Sequence, residues 1–169
     1  MRVMSVLLAA LLSLPLLAAE VRELTWSELI PEGALPAPSP MPMHDLSQLA
    51  DQLAAEQAPP AAQQMPAAPV NKALDGQTVK LPGYLVPLNY DEDGQANEFL
   101  LVPYFGACIH VPPPPSNQIV YITAGNAVEM EALYQPFWIE GTLRAENASS
   151  ELAEAGYQVL KAKIYPYEM

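Results

Sequence analysis

The chain has 169 residues, of which 19 are acidic and seven are basic, so its formal net charge at neutral pH is −12. Phosphate contacts need clustered lysine and arginine, so this composition excludes nucleic acid as a partner. The same acidity disfavours anionic lipid surfaces and favours cationic ligands, metals or basic patches on partner proteins. The single cysteine excludes a disulfide within the chain.

Residues 1–19 are predicted to be a secretory signal peptide. Arg2 precedes an apolar run that ends at Leu17, and two alanines follow before the charged Glu20. A basic start, an apolar centre and small residues before a polar step are typical of such signals. The run is slightly shorter than the about 20 residues of a membrane helix. We therefore expect an exported protein with no membrane insertion after cleavage.

Residues 20–70 are predicted to form an N-terminal extension. Thr25 and Glu28 have capping-box spacing, and Pro31 limits the helix to about one turn. A second helix is expected to begin at Asp45 and to end before Pro59. Residues 54–69 are almost entirely Ala, Pro, Gln and Met, which is typical of a low-complexity linker. The residues of the first turn expected to dock on the main domain are Trp26, Leu29 and Ile30.

Residues 71–169 are predicted to form the main domain, built from strands. The first strand is long, and its apolar residues change parity after Pro82-Gly83, which indicates a bend at a β-bulge. In the last strand we expect Leu160, Ala162 and Ile164 to face one way, opposite Lys161 and Lys163. The other strands are predicted at 98–105, 118–123 and 137–143, with a short helical segment around 130–134.

This pattern predicts a mainly β fold, a small five-stranded OB-like Greek-key barrel. An open five-stranded sandwich is the alternative. The extension would add short helices and the Pro/Ala-rich linker to that barrel.

The pair Cys108 and His110 is the first candidate metal site. If Gly106 to Val111 is extended, both side chains point to the same face. Thiolate and imidazole suit Zn²⁺, but a structural zinc site needs four ligands and a catalytic one three. The pair supplies two, so a buried thiol beside a hydrogen-bonded histidine is the competing interpretation.

The second histidine, His44, could supply a further metal ligand to the pair Cys108 and His110. Two methionines precede His44 within the segment PMPMHD, and two thioethers with an imidazole could hold a soft ion such as Cu(I). In the sharper hypothesis His44 and Asp45 fold back to complete a site at Cys108. In the simpler one the methionines pack and Asp45 caps a helix.

Four prolines, Pro112 to Pro115, follow the pair. They lack backbone donors and have a fixed φ, so the segment is expected to leave the sheet as a stiff polyproline stretch. It could be a rigid turn that positions Cys108, or a docking edge together with Tyr104 and Phe105. Both interpretations can hold together.

An enzyme is not expected. The chain has no Gly-x-Ser-x-Gly segment around a nucleophile. Cys108 and His110 could act as thiolate and base, but residues two apart on a strand are about 6.5 Å apart, too far for a direct hydrogen bond. A thiol-dependent enzyme is therefore the last of the alternatives.

The segments EFLLVPYFGACIHVPPPPSNQIVYI, LTWSELIPEG and LDGQTVKLPGYLVPL resemble an exported bacterial family called domain of unknown function 3299. The resemblance implies an OB-like periplasmic domain, often encoded beside an ABC-transporter ATPase and permease in zinc-responsive clusters. It implies no established activity. The family signature falls on Cys108, His110, Pro112, Pro113, Pro114, Asn117 and Gln118, and the step at His44 and Asp45 also resembles it.

Together these observations predict a periplasmic accessory or binding module that works with an envelope ABC-type transporter or its permease subunit. Zinc is the candidate metal, with Cys108, His110, His44 and Asp45 as its ligands. The expected binding residues are Tyr104, Phe105, Pro112, Pro113, Pro114, Asn117 and Gln118. The alternative is a metal-free interaction module that docks through the proline-rich loop.

Overall fold

A computed structural model describes residues 21–34, 62–108 and 112–168. The predicted signal peptide, the predicted helix at Asp45, and the candidate ligands His44 and His110 lie outside these residues. The fold is mainly β, as predicted, and its five long strands close into a barrel. The strands are β1 Arg22–Glu23, β2 Thr78–Pro87, β3 Gln95–Val102, β4 Val120–Glu129, β5 Phe137–Arg144, β6 Ala148–Ser149, β7 Glu154–Ala155 and β8 Tyr157–Pro166.

The barrel closes because β2 has a different partner along each half. Residues 78–83 pair with β5, and residues 84–87 pair with β3. The strand order is β2, β3, β4, β8 and β5, and β5 returns to β2. All neighbours are antiparallel except β4 and β8. The ring of paired strands is closed, so the alternative of an open sandwich was wrong.

The predicted bulge at Gly83 was wrong. The pairing of β2 runs through Gly83 without a shift in register. The parity changes because both faces of the strand become buried, with Leu85 in the barrel interior and Val86 in a second cluster outside it. Gly83 is needed for space, since a Cβ there would lie 2.7 Å from the carbonyl oxygen of Val102.

The bulge lies in β8 instead. The register between β8 and both of its neighbours shifts around Lys161, whose φ is +55°. Val159 and Ala162 are therefore both buried, and Leu160 is 44% exposed. The expectation that Leu160 and Ala162 share a face was wrong, because one extra residue in a strand inverts the alternation beyond it.

Short 3-10 turns make up the helical part of the described residues. The predicted turn around Met130 is the 3-10 turn Met130–Ala132, and the other three are Trp26–Leu29, Lys72–Leu74 and Ser116–Gln118. Across the described ranges, no helix is both long and apolar enough to span a bilayer.

The hydrophobic core has two parts on either side of the β2–β3–β4 sheet. The barrel interior contains Phe99, Ile122, Ile139 and Tyr157, all fully buried. The second part, here called the outer cluster, covers the opposite face of the same sheet. Its buried members are Val86, Leu100, Val102, Ala107, Ile119, Ala153 and Ala155. Ala107 and Ile119 belong to the β3–β4 loop, and Ala153 and Ala155 belong to the β6–β7 ribbon. These two segments therefore cover this face.

Residues 21–34, here called the N-terminal arm, pack into the barrel as predicted for Trp26 and Leu29. The arm begins as β1, which pairs in parallel with Val79 and Lys80 on the edge of β2 opposite β5. Leu24 and Leu29 are almost completely buried. Leu24 and Leu29 of the arm therefore contribute to the barrel core.

The capping box predicted at Thr25 and Glu28 is present. The backbone N–H of Thr25 donates to the carboxylate of Glu28 at 2.8 Å, and Arg22 forms an ion pair with the same carboxylate at 2.6 Å. The hydrogen bond from Thr25 is the main reason why the pKa of Glu28 is lowered.

The end of the predicted linker is anchored. Gln63 donates from its amide to the carbonyl oxygens of Pro114 and Glu154, and its own side-chain oxygen accepts from the backbone N–H of Glu154. Ala68 is buried. Composition alone predicts a flexible segment here, but these tertiary hydrogen bonds hold residues 62–70 against the barrel.

Candidate functional site

The candidate site lies in the β3–β4 loop, here called the cover loop, described at residues 103–108 and 112–119. Pro103 ends β3 because it cannot donate to the sheet. The chain then turns over the outer face of β2 and β3, with Gly106 at φ +83° and Cys108 at φ +67°. The assumption of an extended Gly106 to Val111 was therefore wrong at both residues, and the same-face argument for Cys108 and His110 fails with it.

Cys108 lies against the outer cluster. It is a free thiol, partly buried, and it packs against apolar side chains of this cluster. Burial raises the pKa of Cys108 to about 11 because the thiolate loses hydration there. A reactive thiolate near neutral pH needs a cationic neighbour that lowers the pKa, so this environment has the opposite effect.

Alkylation of Cys108 by iodoacetamide in the folded protein is expected to be at least tenfold slower at pH 8 than after unfolding in urea. A pKa near 11 leaves only about one thiolate in a thousand at that pH. The rate should continue to rise up to about pH 11. The rate constant measured by mass spectrometry across this range is the readout, and rapid labelling at pH 6 would contradict the prediction.

The predicted ligand set is not assembled by the described residues. Within residues 21–34, 62–108 and 112–168, no three His, Cys, Asp or Glu side chains lie together in a way that could hold a metal ion. Cys108 is the single predicted ligand that falls in these ranges. His110, His44 and Asp45 lie outside them, so the joined site stays a prediction.

The proline run is largely enclosed. Pro112 is exposed, but Pro113, Pro114 and Pro115 are buried. The carbonyl oxygen of Pro114 accepts from the side chain of Gln63 at 2.9 Å. Of the four prolines, Pro112 alone could contact a partner, since the three buried prolines have no surface for one. The rigid-turn interpretation describes the rest of the run.

Asn117 and Gln118 are buried and use their amides within the chain. Asn117 donates to the carbonyl oxygen of Pro69 at 2.8 Å, and Gln118 donates to that of Trp26 at 2.9 Å. Ser116 was missed by the sequence analysis. Its hydroxyl accepts from the N–H of Ala68 at 2.9 Å, and its carbonyl oxygen accepts from the N–H of Gly156 at 2.7 Å. These three polar residues connect the cover loop to the arm, to residues 62–70 and to Gly156, which precedes β8.

A signal for this connecting role was present in the proline run. Prolines offer acceptors but no backbone donors, so a buried run must receive its hydrogen bonds from other segments. Gln63 donates such a hydrogen bond to Pro114. The glutamines of the predicted linker were therefore the sequence signal for donors to the proline run.

The exposed part of the loop is aromatic. Tyr84, Tyr104 and Phe105 form what we call the aromatic corner. Phe105 is 61% exposed and meets Tyr84 edge to face, with ring centroids 5.7 Å apart. Tyr104 packs on the outer cluster, and its pKa is raised by burial and then by the nearby Cys108. Within the aromatic corner, Phe105 is therefore exposed, whereas Tyr104 is packed against the outer cluster.

Comparison with known proteins places the chain in a family. The family model described as protein of unknown function DUF3299 matches residues 26–166. A crystal structure of a DUF3299 family protein from Pseudomonas aeruginosa PAO1 is similar, with 61% sequence identity and a TM-score of 0.76. The match covers 89% of this chain and 98% of the other. No curated protein matches the chain. The chain therefore belongs to the DUF3299 family.

Proposed function

We propose that this protein is a periplasmic accessory module that binds the permease subunit of an envelope ABC-type transporter through its aromatic corner. The observation that carries the proposal is Phe105, a large apolar side chain that is 61% exposed between the buried residues Val102 and Ala107. Exposed aromatic residues with a fixed base are the usual anchors of protein interfaces. The transporter as partner comes from the family resemblance.

The packing of the residues around Phe105 favours a binding role for this exposed side chain. Tyr84 lies under its ring, Ala107 is fully buried two residues later, and the buried prolines fix the far side of the loop. Side chains that are already packed lose little entropy when a partner binds. The acidic chain adds attraction toward a partner whose rim is basic.

The raised pKa of Cys108 bears on the two alternatives. A thiol-dependent enzyme would need a thiolate at neutral pH, and the apolar contacts of Cys108 disfavour one. Zinc binding would also require loss of the thiol proton. The described residues supply one ligand, so a zinc site depends on His110, His44 and Asp45. The raised pKa of Cys108 favours the metal-free form of the module.

Phe105→Ala is expected to weaken binding to the purified permease in detergent by at least tenfold, since an interface anchor is worth about 2 kcal/mol or more. Biolayer interferometry with the mature protein immobilised gives the affinity. Tyr134→Ala is the matched control, because Tyr134 is a 73% exposed aromatic residue outside the aromatic corner. No binding by the unaltered protein, or equal affinity of both variants, would contradict the proposal.

The alkylation assay also tests the zinc alternative. If zinc binds through Cys108, one equivalent of zinc should slow the labelling of Cys108 and a chelator should restore it. Equal rates with and without zinc would leave the metal-free module as the function.

A further inference from the structure

The N-terminal arm lies in a groove of the barrel that recognises its main chain. Three barrel side chains donate to three of its carbonyl oxygens. Gln118 donates to Trp26 at 2.9 Å, Asn71 donates to Glu28 at 2.9 Å, and Tyr157 donates to Leu29 at 2.6 Å. These side chains therefore bind the main chain of the 3-10 turn Trp26–Leu29.

The arm also gives specific contacts to the groove. The N–H of Leu24 donates to the carbonyl oxygen of Lys80 at 2.9 Å, and the indole N–H of Trp26 donates to that of Pro82 at 2.8 Å. The side chains of Leu24 and Leu29 enter the core. Main-chain hydrogen bonds for affinity and buried side chains for specificity are the features of peptide recognition by strand addition.

None of these contacts requires the arm and the barrel to belong to one copy of the chain. The arm ends at Ala34, and the described chain resumes at Ala62. The residues between them could span up to roughly 90 Å when fully extended. A domain of about 100 residues has a radius of gyration of only about 13 Å. An arm can therefore reach the groove of a neighbouring copy and make the same contacts there.

We propose that the groove also accepts the arm of a second copy, so that two chains form a dimer by exchanging their N-terminal arms. This inference rests on the arm contacts alone and is independent of the transporter proposal. A tethered arm has an effective concentration on the order of millimolar near its own groove. Dilute protein is therefore monomeric, and chains refolded together near that concentration exchange arms. Exchange of an identical element adds no new interface and so has a low cost.

A disulfide across the β1–β2 pair provides the test. Glu23 and Lys80 are register partners, and their charged atoms lie 3.0 Å apart. Their exposed ion pair contributes little to stability, so Glu23→Cys and Lys80→Cys should both fold. Each is made together with Cys108→Ser, so that every chain carries one chosen thiol. The two variants are mixed, unfolded, refolded at several protein concentrations under reducing conditions, and then oxidised.

We expect a disulfide-linked heterodimer whose yield rises with protein concentration to at least ten times that of a control. The control pairs Glu23→Cys with Glu131→Cys, since Glu131 is exposed and is not a register partner of Glu23. A single chain with both Glu23→Cys and Lys80→Cys should form the disulfide internally at low concentration, which verifies the geometry. Heterodimer at the control level at every concentration would overturn the proposal. So would failure of the internal disulfide, because the arm would then not lie on β2 in solution.

Discussion

Replacing Tyr157 with phenylalanine is expected to lower the free energy of unfolding by about 2 to 4 kcal/mol. The hydroxyl of Tyr157 is buried; it donates to the carbonyl oxygen of Leu29 and accepts from the backbone N–H of Asn71. Phenylalanine fills the same space but leaves both backbone groups without this partner, and each such loss costs about 1 to 3 kcal/mol. Urea unfolding monitored by Trp26 and Trp138 fluorescence measures the change.

The matched control is Tyr134→Phe, which removes the same atom from a side chain that is 73% exposed and should change stability by less than about 0.5 kcal/mol. Burial raises the pKa of Tyr157 to about 12, so the folded state favours the neutral phenol. That preference stabilises the fold below the ordinary tyrosine pKa and is lost as the pH rises through about 12. Tyr157→Phe should therefore show a weaker alkaline decline. Equal stability of Tyr157→Phe and the unaltered protein would refute this description of the arm.

Gly83→Ala is expected to lower the free energy of unfolding by about 3 kcal/mol, near the top of the usual range for overpacking. The new Cβ would lie 2.7 Å from the carbonyl oxygen of Val102 and 3.0 Å from two side-chain carbons of Leu101. This contact falls where β2 changes partner from β5 to β3, so the backbone oxygen can move away only by disturbing the barrel closure. Thermal and urea unfolding measure the loss.

Gly125→Ala provides the comparison. Gly125 also lies in a strand, but a Cβ there would have its nearest neighbour at 3.5 Å, an ordinary contact. It should cost less than about 1 kcal/mol. If both alanines have the same small effect, the close approach at Gly83 does not constrain the fold.

Much of the barrel is predictable because its strands carry local signals. Alternating apolar residues placed β5 within about one residue of its observed ends. The failures have one physical cause, since alternation records only whether a side chain is buried. It could not separate Leu85 in the interior from Val86 in the outer cluster, nor detect the extra residue at Lys161.

The candidate site was less predictable because its residues have partners that are distant in sequence. The family signature falls on Asn117 and Gln118, but their amides bind Pro69 and Trp26, about 50 and 90 positions away. Nothing local distinguishes such structural amides from ligand-binding ones. Phe105 was predicted as part of a docking edge, and the structure places its ring in an exposed position. His44 lies outside the described residues, so its role as a metal ligand stays a prediction.

The shielding of Cys108 also affects how the protein should behave outside a reducing environment. Thiols are oxidised and form mixed disulfides as thiolates, at rates set by their ionisation and their access to solvent. Packing against the outer cluster limits both for Cys108. A chain with one unpaired thiol can then persist in air-saturated solution without covalent dimers, so the cover loop also preserves the chemical integrity of the molecule.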